Sequence, residues 1–195
     1  MDDRMNEKQY SLLVLKPDTL RQVLDVNIIC DLEDRGFEIV KRKMVKFTPE
    51  QAGELYDEKK DYNYFPLLKE FMSSGQSICL ILRSDKAIEK SKEYRDWARQ
   101  NLKLKRFELT NEDVKLLSEG THPQQTEITR EMALENLIHV SDSFEADIPL
   151  IREIFTRWDQ DELKGREPEL YQALFGERKA EPRSLTTYHP SPEIY

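Results

Sequence analysis

The sequence predicts an α+β fold in which helices pack on one face of a four-stranded antiparallel sheet. Four short apolar runs, at residues 10–15, 37–47, 77–82 and 137–140, have the length and composition of strands. Segments with helical spacing or helix-capping residues separate these runs, so the order is β-α-β-α-β-α-β. Two βαβ-like halves in this order form the split βαβ pattern.

The first βα unit is defined by a proline and a glycine. Pro17 ends the first strand, because proline cannot donate a hydrogen bond to a strand ladder. Asp18 or Thr19 is expected to cap the segment that follows. Apolar residues at helical spacing then continue over 23–35, and Gly36 is placed where a helix commonly ends.

The remaining helices are predicted from capping residues at their N-termini and from their helical character. Residues 48–51 form a capping box with proline at the first helical position, and a short helix is expected at 65–72. Residues 85–101 have helical character, and 142–145 form a capping box with Asp142 as the cap. Together with the strands, these helices predict the ferredoxin-like arrangement.

Charge and cysteine content limit the functional classes. The formal net charge of −8 argues against non-specific nucleic-acid binding, which needs an excess of Lys and Arg, but permits small phosphorylated ligands. Cys30 and Cys79 lie in apolar stretches and are expected to be buried free thiols, which fits a reducing compartment. Without a signal-like or membrane-spanning run, we expect a soluble, cytoplasmic protein with no membrane partner.

Residues 136–143 carry the strongest chemical signal. His139 ends an apolar strand and is followed by small polar residues that open a helix, so its imidazole lies beside free backbone N–H groups. Histidine is also a nucleophile that can hold a phosphoryl group at neutral pH. The alternative is a hydrogen-bonded core histidine, and composition alone favours it.

Two weaker signals accompany this histidine. Lys16 follows the first strand, where it can meet a phosphate, although on its own this position favours a solvated surface lysine. Tyr56, Tyr64 and Phe65 lie around two short helices and can stack on a nucleotide base, although such aromatics are more often core residues.

In their order and spacing, these motifs resemble the nucleoside diphosphate kinase family over residues 9–155. Residues 15–18 are similar to the strand-end lysine motif of the family, and 71–76 to the turn before its third strand. Residues 136–143 are similar to its active-site signature, Asn-x-x-His-x-Ser-Asp-Ser. Tyr56 and the Tyr64–Phe65 pair lie at matching spacing.

The resemblance implies specific roles. His139 would accept the γ-phosphoryl group of a nucleoside triphosphate and pass it to a diphosphate, in a ping-pong reaction. Lys16 would bind phosphate and the ribose side, and Tyr56 would hold Lys16 in place. Tyr64, where the family usually has phenylalanine, would stack on the base, and Asn136 would hydrogen-bond the sugar.

The remaining phosphate contacts are implied at other positions. Thr121 and Arg130 match the phosphate-binding threonine and arginine of the family. Ungapped alignment places Lys92 at a second arginine, with Arg95 one turn later and Arg99 beyond it. Mg²⁺ would arrive with the nucleotide, with Asp142 in reach through water.

The resemblance also divides the chain. Residues 9–157 form the kinase-like domain, and within it 93–130 is a divergent, inserted segment. Residues 1–8 and 158–195 are extensions, and the polar chain after about 177 is expected to be mobile. The glutamate that orients the family's histidine falls on Leu150 without a gap, or on Glu153 if the last helix starts differently.

Three functional readings follow. The first is a divergent but active kinase that binds ATP and other nucleoside di- and triphosphates, as a dimer-based homo-oligomer. The second is a catalytically weak or inactive nucleotide-binding regulator on the same fold. A nucleic-acid-binding module is the third, and the acidic charge argues against it.

Overall fold

The sheet has four strands in the order β2-β3-β1-β4, and each neighbouring pair is antiparallel. The strands are β1 (Gln9–Leu15), β2 (Glu38–Val45), β3 (Ser77–Ser84) and β4 (Ile138–Val140). This topology confirms the predicted fold class. The computed structural model describes residues 9–103, 112, 115–116, 121, 123 and 134–176.

The chain divides into two compact units, Met1–Ile154 and Phe155–Tyr195. A short 3-10 turn over Asp57–Lys59 and a π-helical turn over Arg99–Lys103 belong to the first unit. The helices of the first unit are α1 (Pro17–Arg21), α2 (Asp25–Asp34), α3 (Pro49–Leu55), α4 (Phe65–Ser73), α5 (Ala87–Ala98) and α6 (Phe144–Ile154).

The second unit contains two helices that the sequence did not predict, α7 (Arg157–Arg166) and α8 (Pro168–Phe175). The backbone N–H of Thr156 donates to the Asp159 carboxylate and begins α7. Proline occupies the first turn of α8, where its missing N–H costs nothing. The predicted mobile tail after residue 177 lies outside the described residues.

Local chemistry explains where the helices begin and end. Thr48 and Gln51 form the predicted capping box of α3, with Gln51 N–H donating to Thr48 Oγ1 at 3.2 Å. Gly36 follows α2 with a φ of +83°, as expected for a glycine after a helix. Helix α2 starts later than predicted because Val23 has a φ of +56°, which is incompatible with a right-handed helix.

Helices cover both faces of the sheet, whereas the sequence predicted one covered face. Leu13 and Leu15 of β1 pack in a core cluster with Ile28 of α2 and Tyr94 of α5. The alternate residues of β1 point to the opposite face. There the ring of Tyr10 lies 5.8 Å from that of Phe144 in α6, so a second layer of helices protects this face.

Candidate active site

The side chain of Lys16, which follows β1, is buried and hydrogen-bonded to protein atoms, and it is not solvated. Its side chain is 1% exposed, and its Nζ donates to Leu134 O at 2.6 Å and to Asn136 Oδ1 at 2.9 Å. The Nζ also lies 5.6 Å from the ring centroid of Tyr56. Three of the predicted site residues, Lys16, Tyr56 and Asn136, are therefore in one cluster.

Two residues expected to cap a helix instead fix the position of β4. Asp18 accepts a hydrogen bond from Leu137 N–H at 2.9 Å, and Thr19 Oγ1 donates to Leu137 O at 2.5 Å. Lys16 N–H donates to the same carbonyl at 2.9 Å. The cap prediction was wrong because both side chains are buried, and buried polar groups bond to the backbone that crosses them.

His139 is buried on the face of the sheet that α3 and α6 cover. It pairs with Val14 across the β1–β4 ladder, and the ring of Tyr56 meets it edge-on with centroids 4.5 Å apart. Burial, followed by the charges of Lys16, Arg99 and Arg95, lowers the pKa of His139 to about 3. The imidazole is therefore neutral at physiological pH and keeps a lone pair for nucleophilic attack.

On one side of His139 lies a cavity of about 240 Å³ with cationic walls. Arg99 donates from Nη2 to Ile138 O at 3.1 Å, and its buried Nε has no hydrogen-bond partner within the described part of the chain. Burial and neighbouring Arg95 lower the pKa of Arg99. Residues that line this cavity include Lys16, Tyr56, Tyr64, Arg95, Arg99, Asn136 and His139.

Lys92 does not reach the cationic cavity, and Asp142 lines the cavity but does not cap α6. Lys92 forms an ion pair with Asp142 at 2.5 Å and is not among the residues lining the cationic cavity. Arg95 and Arg99 lie one and two turns beyond Lys92 on the same side of the helix, and these two residues line the cavity. The cap of α6 is Ser143, whose Oγ accepts from Ala146 N–H at 3.4 Å.

On the other side of His139 lies a cavity of about 340 Å³ with acidic walls, including Glu54, Glu58 and Asp147. Ser141 connects this side to the histidine. Its Oγ donates to Asp147 Oδ1 at 2.6 Å and lies 3.4 Å from His139 Nε2. Burial, and then the surrounding carboxylates, raises the pKa of Asp147 to about 7.

Asp147 therefore occupies the place expected for Glu153. Glu153 accepts a hydrogen bond from Gln51 at 3.3 Å at an exposed position, and Leu150 is a buried apolar residue. A sequence signal for Asp147 exists, because it lies three residues from both Phe144 and Leu150, on the buried face of α6.

Other sequence expectations have different outcomes. Thr121 is exposed, and its Oγ1 donates to Leu116 O at 3.4 Å rather than lining the cationic cavity. Arg130 and most of the predicted insertion lie outside the described residues.

Cys79 is buried as expected, but Cys30 is exposed on α2. No helix within the described ranges is long and apolar enough to cross a membrane.

Comparison with known proteins connects this geometry to one family. The sequence model described as "Nucleoside diphosphate kinase" matches residues 9–96. The nucleoside diphosphate kinase of Saccharolobus islandicus is 31% identical over 137 residues, which cover 70% of this chain and 87% of the relative. The chain belongs to the nucleoside diphosphate kinase family. It is a nucleoside-diphosphate kinase, a phosphotransferase.

Other comparisons agree on the family. The nucleoside diphosphate kinase of Methanococcus maripaludis is 38% identical over 80 residues, which cover 41% of this chain and 60% of that relative. The crystal structure of the Aquifex aeolicus enzyme superposes with a TM-score of 0.56 at 27% identity, covering 78% of this chain and 99% of the other. Nothing in these comparisons favours a non-catalytic member.

Proposed function

We propose that His139 is the nucleophile of this kinase and carries the phosphoryl group between two nucleotides. The observation that carries this proposal is a buried, neutral imidazole at the edge of a cationic cavity. In the first half-reaction a ring nitrogen bonds to the γ-phosphorus and the bond to the β,γ-bridging oxygen breaks, which releases a nucleoside diphosphate. A second diphosphate reverses these steps, so the overall reaction is ping-pong.

The cations of the cavity stabilise the transferred group. The γ-phosphoryl oxygens share negative charge during transfer, and fixed positive groups stabilise that charge without reorganising. Lys16, Arg95 and Arg99 line the cavity that His139 borders. We assign the phosphate contacts to these three residues and not to Lys92, because Lys92 is paired with Asp142.

Two further residues that line the cavity suit the nucleoside. Tyr64 and Leu68 line it, and an aromatic ring beside an aliphatic side chain offers a base one flat apolar surface. Asn136, whose Oδ1 accepts from Lys16, lines the same cavity and is suited to contact a sugar hydroxyl. Tyr56 packs against both Lys16 and His139 and so positions them.

We propose that Mg²⁺ would arrive with the nucleotide. No cluster of three His, Cys, Asp or Glu suited to a metal occurs in the described part of the chain. Asp142 presents one exposed carboxylate at the cavity and can bond to a water on the metal. When bound, Mg²⁺ neutralises phosphate charge.

Intact mass measurement tests the proposal directly. The parent protein, incubated briefly with ATP and Mg²⁺, should gain one phosphoryl group that is acid-labile and is lost when a nucleoside diphosphate is added. His139→Gln should fold, as judged by circular dichroism, and gain none. Labelling of folded His139→Gln to the same extent as the parent would assign the phosphate to another residue and contradict the proposal.

We further propose a dimer-based homo-oligomer in the cytoplasm. Val26 of α2 and Met44 of edge strand β2 are exposed apolar residues on elements that contact each other, and a second subunit that covers them would bury apolar surface. Light scattering on the purified chain tests the assembly, and a monomeric mass at micromolar concentration would contradict it.

A further inference from the structure

We propose that the acidic cavity beside His139 is a binding site for a small linear diamine with both amino groups protonated. The cavity has a volume of about 340 Å³ and lies on the side of His139 opposite the cationic cavity. This binding activity is additional to phosphoryl transfer, and it does not depend on His139 being the nucleophile.

The charge of the cavity wall is the first observation. Among the described residues, no lysine or arginine lines this cavity, whereas five carboxylates do: Glu54, Asp57, Glu58, Asp142 and Asp147. They come from α3, from the 3-10 turn that follows it, from the segment before α6, and from α6 itself. Like charges around one cavity repel each other unless a cation lies among them, so a cationic ligand would be stabilised here.

The protein itself neutralises only part of this charge. Asp57 pairs with Lys60 at 3.4 Å, and Asp142 pairs with Lys92 at 2.5 Å. The other three carboxylates of the wall form no ion pair with any residue that the structure describes: Glu54, Glu58 and Asp147. A single positive charge would leave most of this negative charge uncompensated. The wall is therefore suited to a ligand that carries two positive charges.

The buried carboxyl group of Asp147 is the second, independent observation. Asp147 is 8% exposed, and its Oδ1 accepts from Ser141 Oγ at 2.6 Å. Its Oδ2 has no hydrogen-bond partner within the described ranges. A buried carboxylate oxygen without a donor is unfavourable, because it has lost its hydration and has gained no other partner. One ammonium group of the ligand would supply the missing donors to this carboxylate.

The rest of the wall accounts for a second ammonium group and for an apolar chain between the two. Glu54 and Glu58 are exposed carboxylates four residues apart, and both can reach a cation near the solvent. Apolar side chains also line the cavity, namely Leu55, Val140 and Ala146. The methylene groups of a diamine would bury apolar surface against them. The wall therefore matches a ligand with two charged ends and an apolar middle.

A diamine fits this cavity better than a metal ion does. A metal needs several ligands that converge on one point, and the described residues contain no group of three His, Cys, Asp or Glu that could hold one. The volume lies in the range of small-molecule sites, about 300–1,000 Å³. The adjoining cavity of about 430 Å³ has Lys60 and Lys69 in its wall, which makes it less suited to a dication.

Isothermal titration calorimetry of the full chain with 1,4-diaminobutane is the first test. At about pH 8.5 both amino groups of the probe are protonated, as a lysine side chain would be. Without nucleotide, the diamine should bind saturably with one molecule per chain. The uncharged analogue 1,4-butanediol should not bind, and an equal concentration of MgCl₂ should not displace the diamine. Absence of saturable binding, equal binding of the diol, or displacement by MgCl₂ would each overturn the proposal.

Variants of the wall test which carboxylates bind the probe. Asp147→Asn keeps the shape of the side chain and removes its charge, so the Kd for 1,4-diaminobutane should rise about tenfold or more. The double variant Glu54→Gln and Glu58→Gln changes two exposed residues, should fold like the parent, and should also raise the Kd about tenfold. An unchanged Kd in the double variant would contradict the proposal even if Asp147→Asn failed to fold.

Glu153→Gln is the matched control, because it removes one negative charge from the same helix at an exposed position that does not line the cavity. Its Kd should stay within about twofold of the parent. A rise equal to that of Asp147→Asn would assign binding to the general acidity of the chain and count against the site.

NMR of the histidine rings locates the bound probe. His139 lines the cavity, so its ring signals should shift as 1,4-diaminobutane saturates the parent, and His139→Gln identifies these signals. Unchanged His139 signals at saturation would place the diamine elsewhere and overturn the proposal, whether or not the chain transfers phosphate.

Discussion

The two sides of His139 differ in charge and act in opposite directions on protonation, and each favours the uncharged form of the group that it surrounds. The side formed by Lys16, Arg95 and Arg99, which we call the cation side, disfavours an imidazolium. The side formed by Glu54, Glu58 and Asp147, the carboxylate side, disfavours a further carboxylate. Burial is the largest cause on both sides, and the nearby charges add to it. Opposite charges therefore keep both His139 and Asp147 close to neutral.

The largest expected effect tests the cation side. Arg95→Ala combined with Arg99→Ala removes two charges from the cavity wall. Each lost charge-assisted phosphate contact costs about 1.5–3 kcal/mol. That is about 10- to 150-fold in kcat/KM for each residue. Steady-state kinetics with ATP and a nucleoside diphosphate measures the loss.

Arg83→Ala is the control for these arginines. Arg83 pairs with Glu38 on the β2–β3 surface and does not line the cavity. Its substitution should leave kcat/KM within about twofold of the parent. Full activity of the double variant would show that the cation side does not bind the transferred phosphate.

The next prediction compares how the two sides of His139 affect the pH dependence of the free energy of unfolding. The folded-state pKa of Asp147, about 7, lies above its ordinary value of 3.8, so stability is lost as pH rises through about 7. The folded-state pKa of His139, about 3, lies below its ordinary value of 6.5, so stability is lost as pH falls below about 6.5. Relative to the parent, Asp147→Asn should gain stability on the alkaline side and His139→Gln on the acid side.

Urea denaturation at about pH 5 and about pH 8.5 measures these differences. We expect each variant's free energy of unfolding, relative to the parent, to change by about 1–3 kcal/mol between the two conditions, in opposite directions. The same sign of change for both variants would contradict the contrast between the sides.

The smallest effect concerns the ion pair between Lys92 and Asp142. Lys92 is about one-third exposed and Asp142 is largely exposed, so the pair contributes less than about 1 kcal/mol to stability. Lys92→Ala should lower kcat/KM by less than about fivefold. A loss equal to that of Arg99→Ala would return Lys92 to the phosphate contacts, as the ungapped alignment suggested.

Local patterns predicted the parts of this molecule that depend on neighbouring residues. The four strands and the Thr48 capping box follow from short segments, and the motif around His139 is contiguous. Asp18 and Thr19 were misassigned because their partner, Leu137, is more than a hundred residues away in the sequence. Spacing along one helix cannot reveal such a partner.

Position along the helix axis accounts for the other differences. Lys92, Arg95 and Arg99 follow one another at three- and four-residue steps on one side of α5 and the turn after it, and the cavity lies one to two turns beyond Lys92. Alignment of α6 without a gap placed Leu150 beside the histidine, whereas packing places Asp147 there. The two helices thus carry functional residues one turn away from the positions that alignment assigned.

The hydrogen bonds that join Asp18 and Thr19 to Leu137 fix the position of His139 beside β1. This position does not depend on how long the preceding chain is. Leu137 has a φ of +68°, and these bonds hold it at that angle next to β1. Lengthening a connecting loop twofold costs only about 0.6 kcal/mol in closure entropy. The position of β4 beside β1 is therefore set by these bonds and not by the number of residues that precede Leu137 in the chain.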